Sequence, residues 1–199
     1  MEAFSDGVFS IAATLLVLDI AVHPPGTLED QLLHAWPAYF AYLISFFTIG
    51  LAWLGHAAIT DRLERADSIF LRLNLLLLLV VAFLPFPTAL VAEALLDATN
   101  ERVAVTIYGV SLLAIRLLGV ALGSYAKHEH LYKPEVETTP QPRDRPLLLV
   151  LSLYVSAILI GLVLPAATVW LYFGIVVFLI FPFREVARLL VSRKQASPP

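Results

Sequence analysis

The stretch FSDGVFSIAATLLVLDI, residues 4–20, decides how this chain is read. It opens on a carboxylate, Asp6, and then runs apolar up to Asp19, broken by the hydroxyls of Ser10 and Thr14. A transmembrane helix needs about 20 mostly apolar residues, and this run has the length for one. It has no basic n-region and no small-residue cleavage site leading into a polar chain, so it reads as a retained span and not as a signal peptide.

The rest of the chain agrees. Of its 199 residues, 59% are hydrophobic and 15% charged, with a mean hydropathy of +0.83. Soluble domains carry about 45–50% apolar and about 25% charged residues, and one globular core could not hide this excess. The net charge of −3 argues against bulk attraction to nucleic acid. Cysteine is absent, which removes disulfides, thiolate metal sites and cysteine nucleophiles.

Six apolar segments follow, at about 4–22, 35–60, 68–92, 103–126, 147–164 and 167–183. The expectation is an all-α polytopic membrane protein, one six-helix unit over residues 1–199. His23-Pro24-Pro25-Gly26 ends the first segment. Pro85 and Pro87 are expected to bend the third or end its regular ladder, and Pro165 to form the turn between the last two. Residues 127–146 are polar and proline-rich and read as an exposed loop.

Of the 13 lysines and arginines, all but Arg102 and Arg116 fall on one side if the helices alternate. Asp19, Glu29, Asp30, Glu93, Asp97 and Glu101 fall on the other. The positive-inside rule then makes both termini cytoplasmic and puts Trp36, Tyr39 and Tyr42 in an outer interfacial belt.

On a helical wheel Ile11, Leu15 and Leu18 share one stripe, with Thr14 about 60° and Ser10 about 100° away. Asp6 lies about 140° from Ile11. An intramembrane carboxylate is costly and marks a pairing or a function. Trp53, His56, Arg72 and Asn74 share its depth in helices two and three. The expectation is that Asp6 bonds His56 or Asn74 and ties the helices together. Arg116, in the middle of helix four, needs a partner or a cavity.

Chemistry-bearing motifs are sparse. His128-Glu129-His130 is a weak metal clip. There is no H-E-x-x-H, G-x-S-x-G or P-loop, and no TVGYG filter. Ser5 and Ser10 are nucleophile candidates without an oxyanion motif, so an enzyme is not expected. A proton-coupled transporter acting through Asp6 or His56 stays open as the alternative, though the paired broken helices of such machines are not apparent.

FSDGVFSIAATLLVLDI, the W-x-x-H of Trp53 and His56, and LRLNLLLLLVVAFLPFPTAL together resemble the prokaryotic branch of the transmembrane protein 175 potassium channels. The family arginine of R-x-x-x-F-S-D would fall one position before Met1, so the chain is expected either to begin upstream or to be trimmed there. The resemblance implies a homotetramer in the cell's inner membrane, with helix one lining a central pore. It implies passive potassium flux with modest selectivity over other monovalent cations, and no cofactor. Ile11, Leu15 and Leu18 match the constriction, and Ser10 and Thr14 the selectivity hydroxyls. Phe4, Ser5 and Asp6 match the FSD motif, which packs with Trp53, His56 and Asn74 away from the pore. Asp19 would be an acid at the outer mouth, concentrating cations there.

Overall fold

The computed structural model describes residues 1–20, 26–97, 100–137 and 147–180. Among them the chain is helical: α1 (Glu2–Leu15), a 3₁₀ turn (Leu16–Asp19), α2 (Leu28–His34), α3 (Trp36–Thr60), α4 (Ser68–Phe83), α5 (Pro85–Asp97), α6 (Glu101–His128), α7 (Pro134–Glu137), α8 (Leu147–Gly161) and α9 (Pro165–Ile180). Trp36–Thr60, Ser68–Leu95 and Glu101–His128 are long and apolar enough to cross a membrane, while α8 and α9 are shorter apolar helices. The fold is an all-α membrane protein.

Local chemistry sets the boundaries. Thr27 and Asp30 form a capping box, each accepting the other's backbone N–H. This starts α2, a helix in what reads from sequence as a plain outer loop. Asp67 caps α4 by accepting the Phe70 N–H at 2.7 Å. The C-terminus of α6 ends in a Schellman motif, with Leu131 N–H on Ala126 O at 2.9 Å and His130 N–H on Lys127 O at 3.4 Å. His130 takes the left-handed backbone, φ 51°, that glycine usually fills there.

Three sequence expectations need correction. The first helix is not α-helical to Val22, because the α winding stops at Leu15 and tightens to 3₁₀. Ala21 and Val22 lie outside the described residues. Pro165 is not the turn between the last two helices but the first residue of α9; its missing N–H would be unpaired at a helix start anyway. The segment after α6 is not wholly exposed: Leu131 and Tyr132 are buried, and Leu63 pairs with Tyr132 in an isolated antiparallel bridge. Pro85 does interrupt the third apolar rod, between α4 and α5 at Leu84.

α1 packs on α3 and α4, its 3₁₀ end on α5 and α3, and α8 and α9 on α6 and each other. The core between them holds Phe9, Leu16, Ile44, Phe70, Tyr108 and Tyr172. Gly109 lets α6 approach Tyr172, since a Cβ there would lie 2.7 Å from the ring Cζ and 2.8 Å from Ile158 Cγ1. A directed hydroxyl relay crosses this core. Thr88 Oγ1 donates to Leu84 O at 2.8 Å, so it must accept from Ser45, 2.8 Å away. Ser45, its own proton committed, accepts from Tyr108 at 2.8 Å. The relay binds α5, just past the proline break, to α3 and α6.

Candidate pore helix and its polar anchor

α1 has two faces. Ser5, Phe9, Ala12 and Leu16 are buried in the fold. Their spacing of four, three and four residues draws one stripe down the helix. Ile11, Leu15 and Leu18 look away from the core and are 60%, 43% and 74% exposed. A helix that shows large aliphatic side chains on the side away from its own core needs lipid or another subunit there.

Thr14 flanks the exposed stripe. Its hydroxyl donates to Ile11 O at 2.9 Å and Ser10 O at 3.1 Å. The proton is thus committed to the helix, and what Thr14 presents outward is an oxygen acceptor. Ser10 is exposed and lies on the same flank as Thr14, one turn earlier and further from the stripe. It lines a groove of about 370 Å³ between α1 and α3, with Ala13, Phe46 and Gly50. The two hydroxyls paired by sequence therefore have different surroundings. The side chain of Asp19 lies outside the described residues.

The polar anchor differs from the sequence expectation in its pairing. Asp6 bonds neither His56 nor Asn74. Its Oδ1 accepts the Trp53 indole N–H at 2.9 Å, at one end of the same groove. The residue of α1 that reaches α4 is Ser5, whose Oγ accepts Asn74 Nδ2 at 3.1 Å. Asn74 Oδ1 lies 2.7 Å from His56 Nε2, so that ring nitrogen carries the proton. Ser5, Asn74 and His56 form a buried three-helix tie, with His56 against the Phe9 ring at a centroid distance of 5.4 Å. Phe4 and Arg72 are exposed and stand apart from it.

Two groups stay unmatched among the described residues. His56 Nδ1 and Arg116 Nε are buried without a hydrogen-bond partner. The half-buried Arg116 faces the Tyr154 side of α8, and no acid pairs with it among the described residues. The described residues contain no cluster of acids and histidines that could hold a metal, and His128 instead meets Glu129 at 2.9 Å.

Sequence reasoning missed the Ser45–Thr88–Tyr108 relay and the bond from Tyr125 to Asp67, 2.7 Å long. Hydroxyls carry no spacing signal of their own. The buried-face period of α3 could have placed Ser45 inward, but a period names no partner.

A family model described as endosomal/lysosomal potassium channel TMEM175 matches residues 1–85. The chain is 36% identical over 202 residues to a protein of Streptomyces collinus named as a potassium channel, a match covering 100% of this chain and 97% of that one. Similarity to the endosomal/lysosomal proton channel TMEM175 of Gallus gallus is 37% over 118 residues, covering 54% of this chain and 24% of that one. Among solved structures, the crystal structure of a lysosomal potassium-selective channel TMEM175 homolog from Chamaesiphon minutus superimposes with a TM-score of 0.76. Its sequence identity is 35%, with 90% of this chain and 94% of that chain covered.

Proposed function

This chain belongs to the TMEM175 family, and we propose from that premise that it is a potassium-permeable cation channel. Four copies of the six-helix unit, residues 1–199, surround a central axis lined by α1. The observation that carries the reading is the split of α1 into a buried stripe and an exposed one. Ser5, Phe9, Ala12 and Leu16 belong to the subunit core, while Ile11, Leu15 and Leu18 are left to meet something outside it.

One thin helix encloses nothing alone. Around a fourfold axis the exposed stripe becomes stacked aliphatic rings, which narrow and dewet the path. The Thr14 oxygens supply acceptors beside those rings for a cation that has shed part of its water. A few hydroxyls cannot replace a hydration shell, so selectivity among monovalent cations is modest. Flux is passive, requires no cofactor, and runs in the inner membrane with both termini cytoplasmic. Asp19 adds negative potential at the outer mouth. Asp6 and the Ser5–Asn74–His56 tie hold α1 in place and do not meet the ion.

Purified protein in liposomes and planar bilayers tests this, with potassium, sodium and proton gradients measured separately. Ile11→Asn and Leu15→Asn should each raise potassium flux, and Thr14→Val should lower the potassium-to-sodium ratio. If both asparagine variants left conductance and ion ratios unchanged, the pore would not be here. Saturable, proton-coupled flux without unitary steps would favour the transporter alternative.

A further inference from the structure

We propose that Leu16 is a positioning residue for the pore: it holds the outer end of α1 in tight winding, so that Leu18 stacks directly over Leu15. The inference rests on the pore reading above and concerns how its outer rings are kept in line.

The α winding ends at Leu15 and a 3₁₀ turn covers Leu16–Asp19, closed by Ile20 N–H on Val17 O at 3.2 Å. In a 3₁₀ helix side chains three apart eclipse, at about 120° per residue and about 2.0 Å rise. Leu18 therefore lies in the same direction as Leu15. With continued α winding it would sit about 60° to one side and about 1.5 Å closer to Leu15. Leu18, at 74%, is the most exposed residue of the stripe, and Leu16 has no exposed surface.

Leu16 is where the turn is fastened. It is the last buried residue of the α1 inner stripe, and the turn packs against α3 and α5. Those two helices are themselves joined by the Ser45–Thr88 bond, so the seat for Leu16 is braced. Short 3₁₀ stretches are frequent at helix ends but have poorer hydrogen-bond geometry than α-helix, and here the buried Leu16 is what anchors the turn. Release of Leu16 frees the turn, so that Leu18 is no longer held over Leu15 while Ile11 and Leu15 stay in place.

The chain has no cysteine, so single cysteines can be read without background. Leu18→Cys and Val17→Cys are each treated with a cationic, water-soluble thiosulfonate while potassium flux into liposomes is followed. Val17 points about 120° away from Leu18. With Leu16 intact, modification at 18 should block flux about tenfold more strongly than at 17. Leu16→Met, which keeps a long apolar side chain, should preserve that ratio. Leu16→Ala should bring it close to one. If Leu16→Ala fails to assemble, Leu16→Val serves in its place and should lower the ratio partway. A ratio untouched by Leu16→Ala or Leu16→Val overturns the positioning role. Leu15→Asn is measured in parallel to separate the two failures. If it raises flux while the ratio stays fixed, the pore reading stands and only the role of Leu16 falls. If neither Leu15→Asn nor modification at 18 changes flux, the pore reading falls and takes this inference with it.

Discussion

The Trp53 indole N–H donates to Asp6 Oδ1 at 2.9 Å, a direct bond between α3 and α1. Both side chains are partly open, Trp53 at 41%, so solvent discounts the bond. Trp53→Phe should lower stability by about 1 kcal/mol. Asp6→Asn keeps an acceptor and should lose less. Thermal unfolding in detergent, followed by circular dichroism, would rank them. The reverse order would mean that the Asp6 charge, and not this bond, matters.

Asn74 serves two partners at once, Ser5 and His56. Its removal leaves His56 buried with both ring nitrogens unpaired, since Nδ1 already has no partner. Asn74→Ala should therefore cost about 2–3 kcal/mol and Ser5→Ala about 1 kcal/mol. Denaturation of the purified assembly checks the order. A His56→Ala protein that assembles as stably as the parent would show that the three-helix tie contributes nothing.

Gly109→Ala should be destabilising by about 1–3 kcal/mol, because the new methyl group meets the Tyr172 ring and Ile158. Tyr172→Phe removes the hydroxyl that donates to Val105 O at 3.1 Å and also frees space at Gly109. The double variant should be more stable than the sum of the single losses implies. Simple additivity in melting experiments would contradict the close approach.

The hydroxyl relay has a direction, which sets an order of losses. Tyr108→Phe removes its first donor and leaves Ser45 still donating to Thr88, at a cost of about 1 kcal/mol. Ser45→Ala strands the buried Tyr108 hydroxyl without its acceptor and should cost about 2 kcal/mol or more. Equal losses in chemical denaturation would argue against the assigned direction.

Asp67 supplies a pH dependence. The Phe70 N–H, and after it the Tyr125 hydroxyl, hold its carboxyl below the ordinary carboxylate value. A pKa depressed by folding gives stability that is complete above the unfolded value, about 3.9. That stability disappears as pH falls through the lowered native value. The parent should lose stability as pH falls from about 3.9 toward the lowered native value, and Asp67→Asn should lose less over the same window. Melting curves from pH 6 down to about pH 3 would show parallel profiles if Asp67 were uninvolved.

Several elements were legible before any coordinates. The apolar length of each segment, the break near Pro85 and the two faces of α1 all follow from composition and a helical period. The polar residues Asp6, Trp53, His56 and Asn74 were grouped from three helices, and hydrogen bonds join them in two sets, Asp6 with Trp53 and Asn74 with His56 and Ser5. Their pairing was not legible. Neighbouring residues on a helix point about 100° apart, so Ser5 and Asp6 share a depth and reach different helices. Arg72 shares the depth of Asn74 but turns outward for the same reason.

The sequence by itself determined that this is a helical membrane protein whose first span carries an acid at one end and an aliphatic stripe along one side. Hydrophobic length and period suffice for that, because in hydrocarbon a lipid-exposed chain must satisfy its backbone within the helix. Only the tertiary structure decided that Asp6 belongs to Trp53, that Ser5 belongs to Asn74, and that the winding tightens after Leu15. Those outcomes depend on which face of one helix meets which face of another, and on what packs around the buried Leu16. A single helix's sequence contains neither.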